Sequence, residues 1–137
     1  MNKKIAGILL ALCMALVLLP VQAMADDAMP KVKLDVSMEN NENDDYKVMD
    51  GAINIRKENV VYELTGTTDR KLQMWGSNSP DPVKTFYLRL NNATINGGLT
   101  ITNSYGAKLV IEVMDDTTNT IKNVYAVDLT ITGKGTL

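Results

Sequence analysis

Two aromatic residues in polar surroundings are the first candidates for chemistry. Trp75, the only tryptophan, sits in "QMWGSNSPDP", and Tyr105 stands beside Gly106 in "NSYGAK". An aromatic face among small polar residues can take the apolar C–H face of a sugar ring, while neighbouring amides and hydroxyls meet the ring's polar edge. Trp75 can also be read as a cover over one flank of the core. Tyr62 and Tyr87 lie inside apolar runs and read as strand residues, so Tyr105 is the tyrosine expected at the surface.

Acidic side chains cluster in two further places. "MDDTTN" sets Asp115, Asp116 and Asn119 on one corner, and "NENDD" sets Glu42, Asp44 and Asp45 in one loop. Calcium takes its ligands from carboxylate, amide and carbonyl oxygens, so either group could supply part of a calcium shell. Neither follows the EF-hand loop, with its Gly at the sixth position and final Glu. Solvated turn acids are the plainer reading of both. Calcium is the one candidate cofactor, and Asp115, Asp116 and Asn119 are its candidate ligands.

Catalysis finds little to work with. The chain has no histidine, which removes Ser-His-Asp and Cys-His arrangements and histidine metal sites. Arg89 and Glu112 could suggest a base beside a carboxylate, but two outward residues on neighbouring strands are more economically an ion pair. A glycosidase needs two carboxylates about 5–10 Å apart in a cleft, and the sequence places no such pair. The expectation is a protein that is not an enzyme and has no catalytic residues.

The remaining segments set the frame. Met1 to Ala25 has the layout of a secretory signal peptide: Lys3 and Lys4, an unbroken apolar run from Ile5 to Leu19, Pro20, and Ala23-Met24-Ala25 for cleavage. The run is shorter than the roughly 20 residues of a membrane-spanning helix. Cleavage after Ala25 would remove Lys3 and Lys4 and leave a chain in which acidic side chains outnumber basic ones. That chain would have no cysteine, since Cys13 is the only one. It is expected to be secreted, without disulfides and without a membrane contact once the leader is gone. It lacks the basic patch a nucleic-acid partner requires.

Two regions follow the leader. Residues 26–51 are polar and acidic, with Val32, Leu34 and Val36 alternating in one short strand before the loop "MENNENDDYK". Residues 52–137 carry short runs of apolar and polar alternation: Ile53–Ile55, Val60–Leu64, Phe86–Leu90, Leu99–Thr102, Lys108–Val113 and Leu129–Thr132. Each is rich in β-branched or aromatic residues and bounded by Gly, Asn, Asp or Ser, as half-buried strands are. No helical period is present.

Phe86, Leu109 and Leu129 open three of these runs at nearly even steps, and Val61 opens another one similar step before Phe86. A step of roughly 20–25 residues suits one turn of a right-handed parallel β-helix, here of about four short coils. Asparagines 91, 92, 96, 103, 119 and 123 follow the runs, where sharp corners favour a residue that tolerates positive φ. In this arrangement Leu88, Leu90, Leu109, Ile111, Val113, Leu129 and Ile131 point inward, and the two "LTIT" copies lie on different faces. A β-sandwich is the alternative architecture, because its short strands are also separated by closely spaced turns. The last residues, "LTITGKGTL", hold no cap, so the domain reads as the first part of a longer β-helix or as one with an edge open to self-association.

Four stretches carry a family resemblance. "VYELTGTT", "FYLRLNNATING", "LVIEVMDDTTNTIKN" and "DLTITGKGTL" together resemble a family of secreted carbohydrate-binding β-helix proteins, over Val61 to Leu137. The matching positions are Tyr62, Leu64 and Gly66; Leu88, Leu90 and Asn91; Thr117 or Thr118 with Asn119 and Ile121; and Leu129, Ile131, Gly133 and Gly135. The resemblance implies a pectate-lyase-like shape without catalysis, and binding of acidic or cellulosic plant polysaccharide, often with calcium. Members are generally longer than this chain. On that reading Trp75 and Tyr105 are the sugar contacts and the protein is extracellular or held at a cell surface. A structural or adhesive surface solenoid without a defined ligand is the competing function.

Overall fold

The computed structural model describes residues 28–79 and 81–137. The expected leader over Met1 to Ala25 lies outside them. Among the described residues no helix is long and apolar enough to cross a membrane.

The described chain is all-β: twelve short strands and one 3-10 turn, Ser104–Gly106. The strands are β1 (Lys31–Asp35), β2 (Asn41–Glu42), β3 (Tyr46–Val48), β4 (Ala52–Ile55), β5 (Val61–Thr68) and β6 (Lys71–Trp75). They continue with β7 (Lys84–Ile95), β8 (Leu99–Thr102), β9 (Ala107–Val113), β10 (Thr120–Ile121), β11 (Val124–Tyr125) and β12 (Asp128–Gly133).

They form two sheets. The first runs β1–β5–β7–β9–β12, wholly parallel, with β10 also paired to β7. The second runs β11–β8–β6–β4–β3–β2. It is parallel from β11 to β4 and antiparallel from β4 to β2. From β4 to β9 successive strands alternate between the sheets, so each connection carries the chain from one sheet to the other.

Alternation along each strand decides what the core contains. In the first sheet Tyr62, Leu88 and Ile111 occupy one cross-strand row, and Leu34, Leu64, Leu90 and Val113 the next. In the second, Val48, Ile53, Leu72 and Leu99 form a row beside Tyr46, Ile55, Met74 and Ile101. All of these are buried. Each large aliphatic side chain removed from water contributes about 1.5–3 kcal/mol.

The outward positions of the first sheet are charged in alternating sign. Lys33, Glu63, Arg89 and Glu112 occupy successive strands in one row. Arg89 Nε donates to Glu112 Oε2 at 2.7 Å, the cross-strand ion pair expected of these two residues.

One expectation needs correction, and two findings refine the rest. The acidic segment before Ala52 holds three strands rather than one, because Tyr46 and Val48 alternate with Lys47 and fold a small antiparallel hairpin over the core. Val61 pairs with Tyr87 rather than Phe86, which brings Tyr62 onto Leu88 and buries it completely. Leu129 and Ile131 are 39% and 51% exposed, although they pair in register with the fully buried Leu109 and Ile111. The reason is neighbours: β9 lies between β7 and β12, whereas among the described residues β12 has only β9 beside it. The two "LTIT" copies do lie in different sheets, as β8 and β12.

Candidate functional site

Trp75 and Tyr105 come to the same corner of the molecule. Trp75 ends β6 and pairs with Thr102 at the end of β8, and Tyr105 follows shortly after in the 3-10 turn. Trp75 is 44% exposed and Tyr105 72%. Asn103, at φ 55°, makes the sharp exit from β8 that its residue type allows.

The loop after Trp75 lies against that turn. Gly76 N–H donates to Thr102 O at 2.8 Å and Gly106 N–H to Ser77 O at 3.1 Å. A Cβ on Gly106 would run into the Ser79 carbonyl, so glycine is what lets the two segments close up. Backbone hydrogen bonds thus join the two segments that carry the aromatics.

The outer face of the second sheet continues from there. Leu72 and Met74 point into the core, so Gln73 and Trp75 point out. One outward row crosses the whole sheet: Glu42, Lys47, Asn54, Gln73, Thr100 and Tyr125, each paired with the next. Five strand spacings make this row about 24 Å long. Tyr125 is 65% exposed at its far end. Trp75 and Thr102 begin a second row beside it. Asn54 Oδ1 is buried and has no hydrogen-bond partner among the described residues.

Tyr125 is the residue that sequence reasoning missed. Its strand has only two residues and no visible alternation. The signal was the recurring spacing of the strands, a single step of which carries Thr100 onto Tyr125.

Charge on this face is largely settled internally. Glu42 accepts from Arg56 and pairs with Lys47 at 3.1 Å, which together hold its carboxyl below the usual range. Asp45 pairs with Lys57 at 2.8 Å, and that contact raises the lysine. The face therefore offers amides, hydroxyls and rings more than free charge.

The acidic corner lies elsewhere. Asp115, Asp116 and Asn119 follow β9, on the turn leaving the first sheet, whereas Trp75 and Tyr105 lie on the turns leaving the second. Asp115 and Asp116 are exposed, and Asp116 has φ 59°. Asn119 is buried and committed to the structure around it. Its Oδ1 accepts from Ala93 N–H at 2.9 Å, and its Nδ2 donates to Thr117 Oγ1 at 2.8 Å and Thr136 O at 3.3 Å. Asn119 thus ties Ala93, Thr117 and Thr136 together. Among the described residues no three His, Cys, Asp or Glu side chains gather into a metal-holding group.

Comparison with protein-family models, with curated proteins and with solved structures returned no match for this chain.

Proposed function

We propose that the two sheets are faces of a right-handed parallel β-helix of about four coils, and that the protein is a secreted, non-catalytic carbohydrate-binding module for plant-type polysaccharide. Strand alternation between the sheets and parallel pairing support the first part. The crossover between parallel strands of one sheet is nearly always right-handed, which supports the hand.

The observation that carries the second part is the outer face of the second sheet. It presents Trp75 and Tyr125 with Asn54, Gln73, Thr100 and Thr102 between and beside them. Flat rings stack on the apolar faces of sugar units, and amides and hydroxyls take up their hydroxyl groups. A continuous row about 24 Å long suits an extended chain rather than a small molecule enclosed in a cleft. With Lys47 paired to Glu42 and acidic side chains in excess of basic ones, the face favours a neutral, cellulosic chain over an acidic one.

Affinity electrophoresis through gels containing cellulose derivatives or pectin tests this reading. Retardation of the wild type should fall about fivefold or more in Trp75→Ala and in Tyr125→Ala, the loss expected for one stacking platform of about 1 kcal/mol or more. Tyr105→Ala should act in the same direction. Unretarded wild-type protein, or variants that migrate as the wild type does, would remove the sugar site. The same gels run with millimolar calcium and with chelator test whether Asp115 and Asp116 add a metal to it; the binding face itself does not require one.

A further inference from the structure

Asn96 is followed by a glycine, whereas every other asparagine of the chain is followed by a residue with a Cβ. Asn96 and Gly97 form the turn between β7 and β8, which carries the chain from the first sheet to the second. Gly98 N–H donates to Ile95 O at 3.4 Å and closes that turn. Asn96 is exposed. Its Nδ2 donates to Asp69 Oδ1 at 2.9 Å, and its backbone N–H donates to Thr68 O at 2.9 Å. Among the described residues the Gly97 N–H donates no hydrogen bond. Gly97 is pressed against the turn that precedes β6: a Cβ on it would lie 2.3 Å from Arg70 C and O.

We propose that Asn96–Gly97 is a self-modifying site, at which the Asn96 amide is lost to the chain's own backbone, and that Asp69 restrains the reaction. The deprotonated Gly97 nitrogen attacks Asn96 Cγ and forms a new C–N bond. The Cγ–Nδ2 bond breaks, and the amide leaves as ammonia with a proton in place of the one that the backbone nitrogen gave up. The cyclic imide that results then takes up a water. Opening at one carbonyl gives aspartate. Opening at the other gives isoaspartate, whose backbone is longer by a methylene. Water is the only co-reactant. Glycine admits the attack because no Cβ crowds the attacking nitrogen or restricts its backbone. The folded turn opposes it. The amide must release Asp69 before Cγ can swing toward Gly97, and Gly97 cannot shift while Arg70 lies against it. The reaction therefore runs through a local opening of this turn. Its product also alters the charge there: a donor to Asp69 becomes a second carboxylate beside it, so repulsion replaces a hydrogen bond. Each modified molecule keeps a weakened crossing between the two sheets.

Ageing the purified protein at mildly alkaline pH, with ion exchange and tryptic peptide mapping by mass spectrometry, reads the reaction. Cleavage after Arg89 and Lys108 releases residues 90–108, and fragmentation locates the converted asparagine within them. Asn96 should convert before any other asparagine, in step with an acidic shift on ion exchange. Isomerisation at Asp50-Gly51 leaves the charge unchanged and does not enter that shift. Asn96→Ser should remove the early acidic shift. Asp69→Ala should speed conversion about fivefold or more, the factor for loss of a hydrogen bond of about 1 kcal/mol. Asp69 is exposed, so unchanged far-ultraviolet circular dichroism is expected of that variant. Urea below the unfolding transition opens the turn without any substitution and should speed the wild type as well. An Asn96 that stays intact while other asparagines convert overturns the site. Conversion no faster in Asp69→Ala, or indifferent to urea, overturns the restraint by the folded turn.

Discussion

The two ends of the sheets are built differently. At one end lie β1 and the hairpin of β2 and β3; at the other lie β11 and β12. Leu34, Val36, Tyr46 and Val48 at the first end are buried, whereas Tyr125, Val127, Leu129 and Ile131 at the second are exposed. The first end reverses strand direction, and antiparallel strands return the chain over the core through short turns. The second stays parallel, and nothing among the described residues folds back over it. Burial is thus a property of what lies alongside a side chain, not of the side chain. The leucine and isoleucine of "LTIT" are buried in β8 and open in β12.

The largest test of this contrast pairs two truncations. Leu34→Ala should cost about 2–5 kcal/mol in urea unfolding, as deletion of a fully buried leucine does. Ile131→Ala in the dilute monomer should cost under about 1 kcal/mol, because half of that side chain already faces water. Equal costs would mean that the second end is covered in solution.

A smaller effect sharpens the first end. Tyr62 lies in β5, and its hydroxyl donates to Asp45 O at 2.9 Å and accepts from Lys57 N–H at 3.3 Å, tying the hairpin loop to the core. Tyr62→Phe should cost about 1 kcal/mol. Burial, above all, pushes this phenol up to about 12 from an ordinary 10.0. The folded chain therefore holds the proton more tightly than the unfolded one. The stabilisation is complete below pH 10.0 and is lost as pH rises toward about 12. Urea midpoints of the wild type should fall toward the variant's across that window, and parallel curves would refute it.

The smallest effect is at Glu42. Arg56 and Lys47 hold its carboxyl below 4.5, so its contribution is present above that pH and fades below it. Glu42→Gln should flatten that acid limb slightly, and salt should erase most of the difference. A thermal melt series across the acid range at two salt concentrations reads it.

Much of the architecture was legible because strand alternation and a recurring step are strong signals. Phe86, Leu109 and Leu129 do stack in register on successive strands of the first sheet. The hairpin at Tyr46 was hidden because its two apolar residues are separated by a single lysine, inside a strongly polar stretch. Strand β6 was hidden for a similar reason: "KLQMW" has two inward residues, neither of them β-branched. At the candidate site, exposure of Trp75 and Tyr105 could be read from their polar neighbours. Their meeting at one corner could not, since it rests on backbone contacts of Gly76 and Gly106. Asn119 could be recognised as a corner residue, but which atoms it holds depends on the Ala93 and Thr136 levels beside it.

The order of strands in each sheet has a kinetic meaning. Parallel neighbours come from segments not far apart in the chain, as Ala52 with Lys71 and Lys31 with Val61. Strands β1 and β12, far apart in the chain, are also far apart in the sheet. Folding therefore never has to bring distant parts of the chain together. Once one pair such as β7 and β9 has formed, each further strand closes a loop of modest length onto an edge already in place. Growth can then proceed outward in either direction, and unfolding can begin at either end while the middle still stands.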